Sequence, residues 1–388
     1  MNAPAPLRIL HVVPTLSVGG AEQHLVDLVR HSDPQRLRHI VCVLQRPHAL
    51  LPGLEPAADL VVLLDLPGAH PWVRGAMAVR ALIRAHRPDI VQTWLYDADV
   101  AGRLAVLSTG RRVPVVTGLQ AAIYDPAVIR LQHWPPAKMR AFRVIDRTTA
   151  SLTRTQFVGL SSYVIESYRR DFGLKQSDVL AVIPNAIEPR APGAGGAALR
   201  ASLGIDDDAL VVVNVGRLDE QKGQEQLVRA FAAAFADEPN AWMVIFGEGS
   251  RRDPLTKLIA DLGLADRVLL PGVERDIGSA YAMADIFAFP SLHEGLGMAI
   301  IEAMAAGVAC VGSDIPPLRA VLRDGACGRL VPPGDIDALA DTLRSLASDP
   351  ATRRDLAEEG RRRARDYFFT ATLPRWEAAY RARTGGGP

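Results

Sequence analysis

Lysine is nearly absent from this chain of 388 residues: of its 44 basic side chains, only Lys138, Lys175, Lys222 and Lys257 are not arginine. Alanine is abundant. The two biases together carry the stamp of a GC-rich genome, so arginine richness alone has no functional message. Cysteine is scarce as well. Cys42, Cys310 and Cys327 stand far apart with no CxxC, which argues against a disulfide framework or a zinc site and points to a reducing compartment. No uncharged apolar stretch approaches the roughly 18 residues that a membrane-spanning helix needs. The first ten residues lack a basic region followed by an apolar core, so a signal peptide is not expected. The formal charge is only +1, which argues against a dedicated nucleic-acid binder.

What is present is enough apolar material for a globular protein, 48% of the residues. At about 150 residues per domain, the length suggests two domains. Short apolar runs, several rich in Val and Ile, fall at 9–13, 39–44, 60–64, 88–92, 113–117, 211–215, 243–246, 268–270, 286–289 and 308–311. Several have no polar face, as expected of parallel strands buried on both sides. Amphipathic helical patterns lie between them, among others at 21–30, 73–86, 224–236 and 297–306. The alternation predicts doubly wound α/β layers. A stretch without period, rich in Pro and Gly, covers 189–196 and reads as a boundary loop. The expected division is therefore 1–185, 186–365, and a final segment 366–388 with one more amphipathic helix over 370–383.

The near-zero charge is a cancellation. Residues 1–185 carry a net +7 and residues 186–388 a net −6. The basic excess is densest over 130–154, where Arg130, Lys138, Arg140, Arg143, Arg147 and Arg154 interleave with Trp134, Met139, Phe142 and Ile145. Such a pattern suits a helix lying on an anionic membrane surface. It also suits a solvated helix face in an arginine-biased chain, the reading slightly favoured by the sequence alone.

Three constellations carry chemistry. In the first, Gly19 and Gly20 follow the first strand and open a helix, allowing close backbone approach and free N–H groups for an anion. The pattern is not GxGxxG, and no acidic residue ends the second strand, which argues against a dinucleotide dehydrogenase. In the second, Gly216 ends a buried strand, and Arg217 and Lys222 follow in the loop. Two cations at that edge suit a diphosphate. The third runs from Phe289 to Gly307. Glu294 stands in a Gly-containing turn and Glu302 in the following helix, at most about 12 Å along it. One carboxylate can meet a sugar ring and the other a ribose, with the amides of Gly295, Leu296 and Gly297 facing a diphosphate between them.

With these elements in this order, the chain resembles the family 4 retaining glycosyltransferases (GT4) of GT-B architecture. The Gly-Glu-Gly turn at 247–249 and the Gly-Arg-Leu-Val-Pro-Pro-Gly-Asp run at 328–335 extend the likeness over nearly the whole chain. The resemblance implies two Rossmann-like domains facing across a cleft. The first would receive the acceptor, the second would hold the donor, and the C-terminal helix would cross back to the first. It implies transfer from a nucleotide sugar, weighted toward UDP, with retention of configuration and no bound metal or other cofactor. Arg217 and Lys222 would stabilise the departing diphosphate, Glu294 would bond the donor sugar, and Glu302 the ribose. Leu330 and Val331 would flank the nucleoside, and Gly19 and Gly20 would approach the phosphates.

Two departures stand out. Many relatives have a His after the fourth strand, where this chain has Asp97. That carboxylate can accept a proton or bond a sugar hydroxyl, or it can simply cap the following helix. Ala186 also replaces an expected Gly. Asp97/Asp99 and Asp335/Asp337 both spell DxD, and both read as helix caps rather than metal sites. The expected function is hexosyl transfer to a lipid-linked or polysaccharide acceptor, as in bacterial polysaccharide biosynthesis, in the cytoplasm and peripheral to the inner membrane face through 130–154. The alternatives are a small soluble acceptor, or a scaffold that binds nucleotide sugar without transferring it. No nucleic-acid partner is expected.

Overall fold

The computed structural model describes residues 5–68, 71–188 and 195–385. The chain forms two compact units, one of residues 1–186 with 369–388 and one of residues 187–368. The units therefore divide at Ala186, and the last helix belongs to the first unit. Most of the Pro/Gly-rich loop at 189–196 lies outside the described residues.

In the first unit, seven strands form one sheet: β1 Leu7–Val13, β2 Leu37–Val43, β3 Leu60–Leu63, β4 Ile90–Trp94, β5 Val115–Leu119, β6 Gln156–Gly159 and β7 Val179–Val182. Their order is β3-β2-β1-β4-β5-β6-β7, and every pairing is parallel. The continuous apolar runs follow from burial on both faces. Along β1, Ile9 and Val13 pack on one face with Leu25, Trp376 and Tyr380, while Leu10 and Val12 pack on the other with Val79, Ile83 and Ala101. The C-terminal helix Phe369–Thr384 thus completes the first core, and its Glu377 pairs with Arg36 at 3.1 Å.

One part of this core is polar. His11, on β1, contacts His39 through ring nitrogens 2.9 Å apart and accepts from the Trp94 indole at 3.2 Å. His24 meets the Trp94 ring edge-on, with centroids 5.7 Å apart. Burial pushes His24 down to about 3 and His39 down to about 4, the latter against the pull of Asp59. His11 is lowered well below the ordinary range, first by burial and then by its two histidine neighbours. All three are therefore neutral in the folded protein.

The second unit holds β8 Leu210–Val215, β9 Ala241–Phe246, β10 Val268–Gly272, β11 Ile286–Phe289, β12 Ala309–Ser313 and β13 Arg329–Val331. The order is β10-β9-β8-β11-β12-β13, again parallel throughout. Both sheets reverse direction of winding beside their first strand, between β1 and β4 and between β8 and β11. Ligands of open α/β sheets bind beyond the carboxyl ends of such strand pairs. The four loops that leave β1, β4, β8 and β11 are therefore where chemistry is expected.

Candidate active site

In the second unit, the loops after β8 and β11 are tied together. Asn214, in β8, donates to the Ala288 carbonyl at 2.7 Å, and Gln224 donates to the Arg217 carbonyl at 2.8 Å. Gly216 follows β8, its amide bonded to Phe246. Gly223 has φ +67°, and a Cβ there would stand 2.2 Å from the Pro290 carbonyl oxygen, so the two loops close to a distance only glycine permits. Gln221 reinforces the contact. Its side chain donates to the His293 carbonyl, and its own carbonyl accepts from the Leu292 amide, each at 2.8 Å.

That closure joins two predicted residues 72 positions apart. Lys222 Nζ lies 2.6 Å from Glu294 Oε1, both side chains largely shielded, with 15% and 10% of their surface exposed. The ammonium also sits 5.1 Å from the centre of the Phe289 ring. Arg217 behaves differently. It is 71% exposed and pairs with Asp219 at 3.0 Å. The structure thus brings Lys222 to Glu294 and leaves the Arg217 guanidinium at the solvent edge of the same loop.

Beyond Glu294, Gly297 has φ +95° and precedes the helix Met298–Ala306, which starts one residue later than the apolar pattern suggests. A Cβ at Gly297 would meet Leu318 at 2.6 Å. Gly295 and Leu296 lie in the turn before this helix, with Leu296 buried. Glu302, half-buried in the helix, accepts from the Tyr281 hydroxyl at 2.8 Å. The sequence pointed to ribose hydroxyls as the donors that a shielded Glu302 needs; the protein itself supplies one. Tyr281 carried no signal in the sequence, because it reaches Glu302 from another helix. Leu330 and Val331 lie in β13. The Val331 side chain is part of the hydrophobic core and its carbonyl accepts from Asp314, so it packs inward rather than lining a ligand surface. Leu330 is half-buried.

In the first unit, Gly19 caps the helix Gly20–His31 with extended backbone. Glu22 folds beneath this turn and accepts from Ser17 at 2.8 Å, and a Cβ at Gly19 would meet its Oε2 at 2.6 Å. Gly20 has open space where a side chain would go. The loop after β4 holds Asp97 and Asp99 in the first turn of the helix Tyr96–Thr109. Its capping position is Leu95, so neither aspartate caps it, contrary to the expectation for that DxD. The Trp72 indole instead donates to Asp97 at 2.5 Å. By contrast, Asp335 does cap its helix, accepting from the Ala338 amide at 2.9 Å. Leu95 holds φ +67° and ψ 156°, a conformation favourable only to glycine. Backbone strain thus sits at the carboxyl end of β4.

The 130–154 region forms the end of the helix Pro126–Leu131 and the helix Pro136–Thr153. Part of its pattern faces inward. Met139 is buried, Phe142 stacks on Tyr96 with centroids 4.4 Å apart, and Arg143 donates to the Asp171 carbonyl at 2.8 Å. Asp146 is buried against Arg103 and the Tyr124 hydroxyl. Val144 and Leu152 remain 64% and 63% exposed, and Arg140 and Arg147 are exposed beside them. Among the described residues, no helix is long and apolar enough to cross a membrane, and no three His, Cys, Asp or Glu side chains gather as metal ligands would.

Two doubly wound parallel units with functional loops at their switch points define the GT-B class of protein. Residues 197–363 match the family model for glycosyl transferases group 1, and residues 18–191 match that for glycosyltransferase family 4. The chain belongs to this glycosyltransferase family. It is 35% identical over 161 residues to the lipopolysaccharide core biosynthesis glycosyltransferase LpsE of Rhizobium meliloti, over 42% of this chain and 46% of that protein. It is 26% identical over 405 residues to a D-inositol 3-phosphate glycosyltransferase of Streptomyces avermitilis, over 96% of this chain and 86% of the other. Where identity reaches a third, the match spans about half the length of the curated relatives. Among solved structures, Anabaena HepE in complex with UDP and glucose superposes with a TM-score of 0.80 at 23% identity, over 95% of this chain and 98% of that one.

Proposed function

We propose that this protein transfers a hexosyl group from a UDP-sugar to a lipid-linked or polysaccharide acceptor, with retention of configuration and without a metal ion. The observation that carries the reading is the shielded Lys222–Glu294 pair at the carboxyl edge of β8 and β11. As the bond from the anomeric carbon to the diphosphate breaks, negative charge grows on the leaving group. The Lys222 ammonium, with the Arg217 guanidinium entering from the rim, stabilises that charge, and the amides before Met298 add fixed dipoles. Glu294 holds Lys222 in place while its second oxygen bonds a sugar hydroxyl. Glu302, oriented by Tyr281, takes the ribose. The donor assignment draws support from HepE, whose structure holds UDP and glucose.

The acceptor class draws support from LpsE, a lipopolysaccharide core enzyme, and from the exposed Val144 and Leu152 beside Arg140 and Arg147. These residues suit contact with an anionic bilayer from the cytoplasmic side. Transfer is tested by UDP release from UDP-glucose on adding acceptor, and retention by the anomeric coupling constant of the product. Membrane contact is tested by co-sedimentation with anionic liposomes, which an Arg140→Glu, Arg147→Glu variant must weaken.

A further inference from the structure

The first unit contains a cavity of about 470 Å³ at the carboxyl ends of β4 and β5, a volume that suits a drug-sized molecule. Its walls are chiefly apolar: Leu95, Leu119, Ile123, Trp134, Met139 and Phe142. Two features set it apart from a simple hydrophobic hole. Lys138 stands at the wall, its Nζ 5.2 Å from the centre of the Phe142 ring. Asp97 and Asp99 both line it, and they are not equivalent.

Asp97 already accepts the Trp72 indole. Asp99 is buried, and its Oδ1 has no hydrogen-bond partner. A buried acceptor without a donor is costly and calls for an explanation. Its surroundings are held firmly. Arg103 bonds Asp146 and reaches Thr117 at 2.9 Å, and Thr117 meets Thr93 at 2.8 Å. Burial pushes the Asp99 carboxyl up to about 7, with Asp146 adding to the rise, against the pull of Arg103 and a hydrogen bond from the Thr93 side chain to the carboxyl. The strained Leu95 immediately precedes this turn, and strain of this kind concentrates where side chains are held ready for a ligand.

We infer that this cavity takes a hydroxyl-bearing apolar group of the acceptor, and that the Asp99 carboxyl, rather than Asp97, receives its hydroxyl. The inference rests on the reading of the first unit as the acceptor's. It deepens that reading by fixing the chemistry next to the bound hydroxyl as apolar, which disfavours a bare polysaccharide end. Asp99 is then a group that touches substrate. The apolar skeleton can be a rigid ring system or the chain of a lipid carrier.

The test uses the full chain and calorimetric titration with 2-naphthol, its hydroxyl-free twin 2-methoxynaphthalene, and 1-octanol. The expected result is saturable binding of 2-naphthol or 1-octanol, with 2-methoxynaphthalene about tenfold weaker than 2-naphthol, the size of one hydrogen bond. Tighter naphthol assigns a ring and tighter octanol a lipid-like chain; either upholds the inference. Asp99→Ala must erase the preference for the hydroxyl. Ala121→Trp, at the cavity wall, must weaken naphthol at least tenfold without touching Asp99. Failure of all three probes to bind, equal binding of the naphthol pair, or a preference that survives Asp99→Ala overturns it. A thermal shift with a panel of UDP-, GDP- and ADP-sugars, run in parallel, separates the two readings. If the shift is present while the probes fail, only the cavity inference falls. If the probes bind while every nucleotide sugar is silent, the donor reading falls and the cavity stands.

Discussion

Lys222 Nζ lies 2.6 Å from Glu294 Oε1 across 72 residues of sequence, in a contact made possible by the close approach of Gly223 to Pro290. Neither residue is well exposed, so each is the other's main compensation for leaving water.

Lys222→Met and Glu294→Gln should each lower turnover by about 10²- to 10³-fold, the typical cost of losing one stabilising group at a developing charge. Each should also lower stability by about 1–3 kcal/mol, because the remaining partner loses its counterpart. The double variant should be less destabilised than the two singles added together. Urea unfolding of the four proteins measures the coupling, and strict additivity would contradict the pairing.

Gly223 holds a left-handed conformation with a carbonyl where its Cβ would be. Gly223→Ala should therefore destabilise by more than the ~1 kcal/mol of an ordinary Gly→Ala misfit. It should also lower turnover, since it forces apart the two loops that join Lys222 to Glu294. An alanine variant with native stability and rate would show that the loops need not touch.

Leu95 offers the opposite case. At φ +67° and ψ 156°, glycine is comfortable and any other residue is strained. Leu95→Gly should be about 1–3 kcal/mol more stable than Leu95→Ala, a comparison in which both lose the side chain. Equal thermal midpoints would mean that the strain is absent in solution.

The histidine cluster predicts a pH dependence. Unfolded histidines bind protons near pH 6.5, whereas folded His24 and His39 resist until about 3 and about 4. Above pH 6.5 neither state is protonated and the cluster has no cost. Below it, the unfolded chain binds protons that the folded chain refuses. Stability should therefore fall with falling pH, by about 1.4 kcal/mol per unit for each histidine. The loss should continue toward pH 4. Denaturation midpoints at pH 7, 6 and 5 measure the slope, and His24→Phe should make it shallower by one histidine's share.

Much of the fold was legible because it is written in short-range pattern. The ten apolar runs all became strands. The three strands without a run behind them are β6, β7 and β13. β6 carries Gln156 and Gly159, β7 is only half-buried at every position, and β13 has three residues, so none announces itself by continuous hydrophobicity. The site was legible where residues share one loop, as Glu294 and the turn before Met298 do. It was not legible where contact depends on folding. Tyr281 reaches Glu302 only through helix packing, and the difference between Asp97 and Asp99 depends on Trp72, 25 residues upstream of the first. Val331 belongs to a core that only the completed sheet defines.

We propose that the second unit binds a nucleotide sugar through Arg217, Lys222, Glu294 and Glu302. A thermal-shift panel of UDP-, GDP- and ADP-sugars tests it most directly, because a ligand of the folded state raises its apparent stability. A concentration-dependent rise with at least one UDP-sugar is expected, abolished in the Arg217→Ala, Lys222→Ala double variant. A panel with no response, or a response that the double variant retains in full, would contradict it.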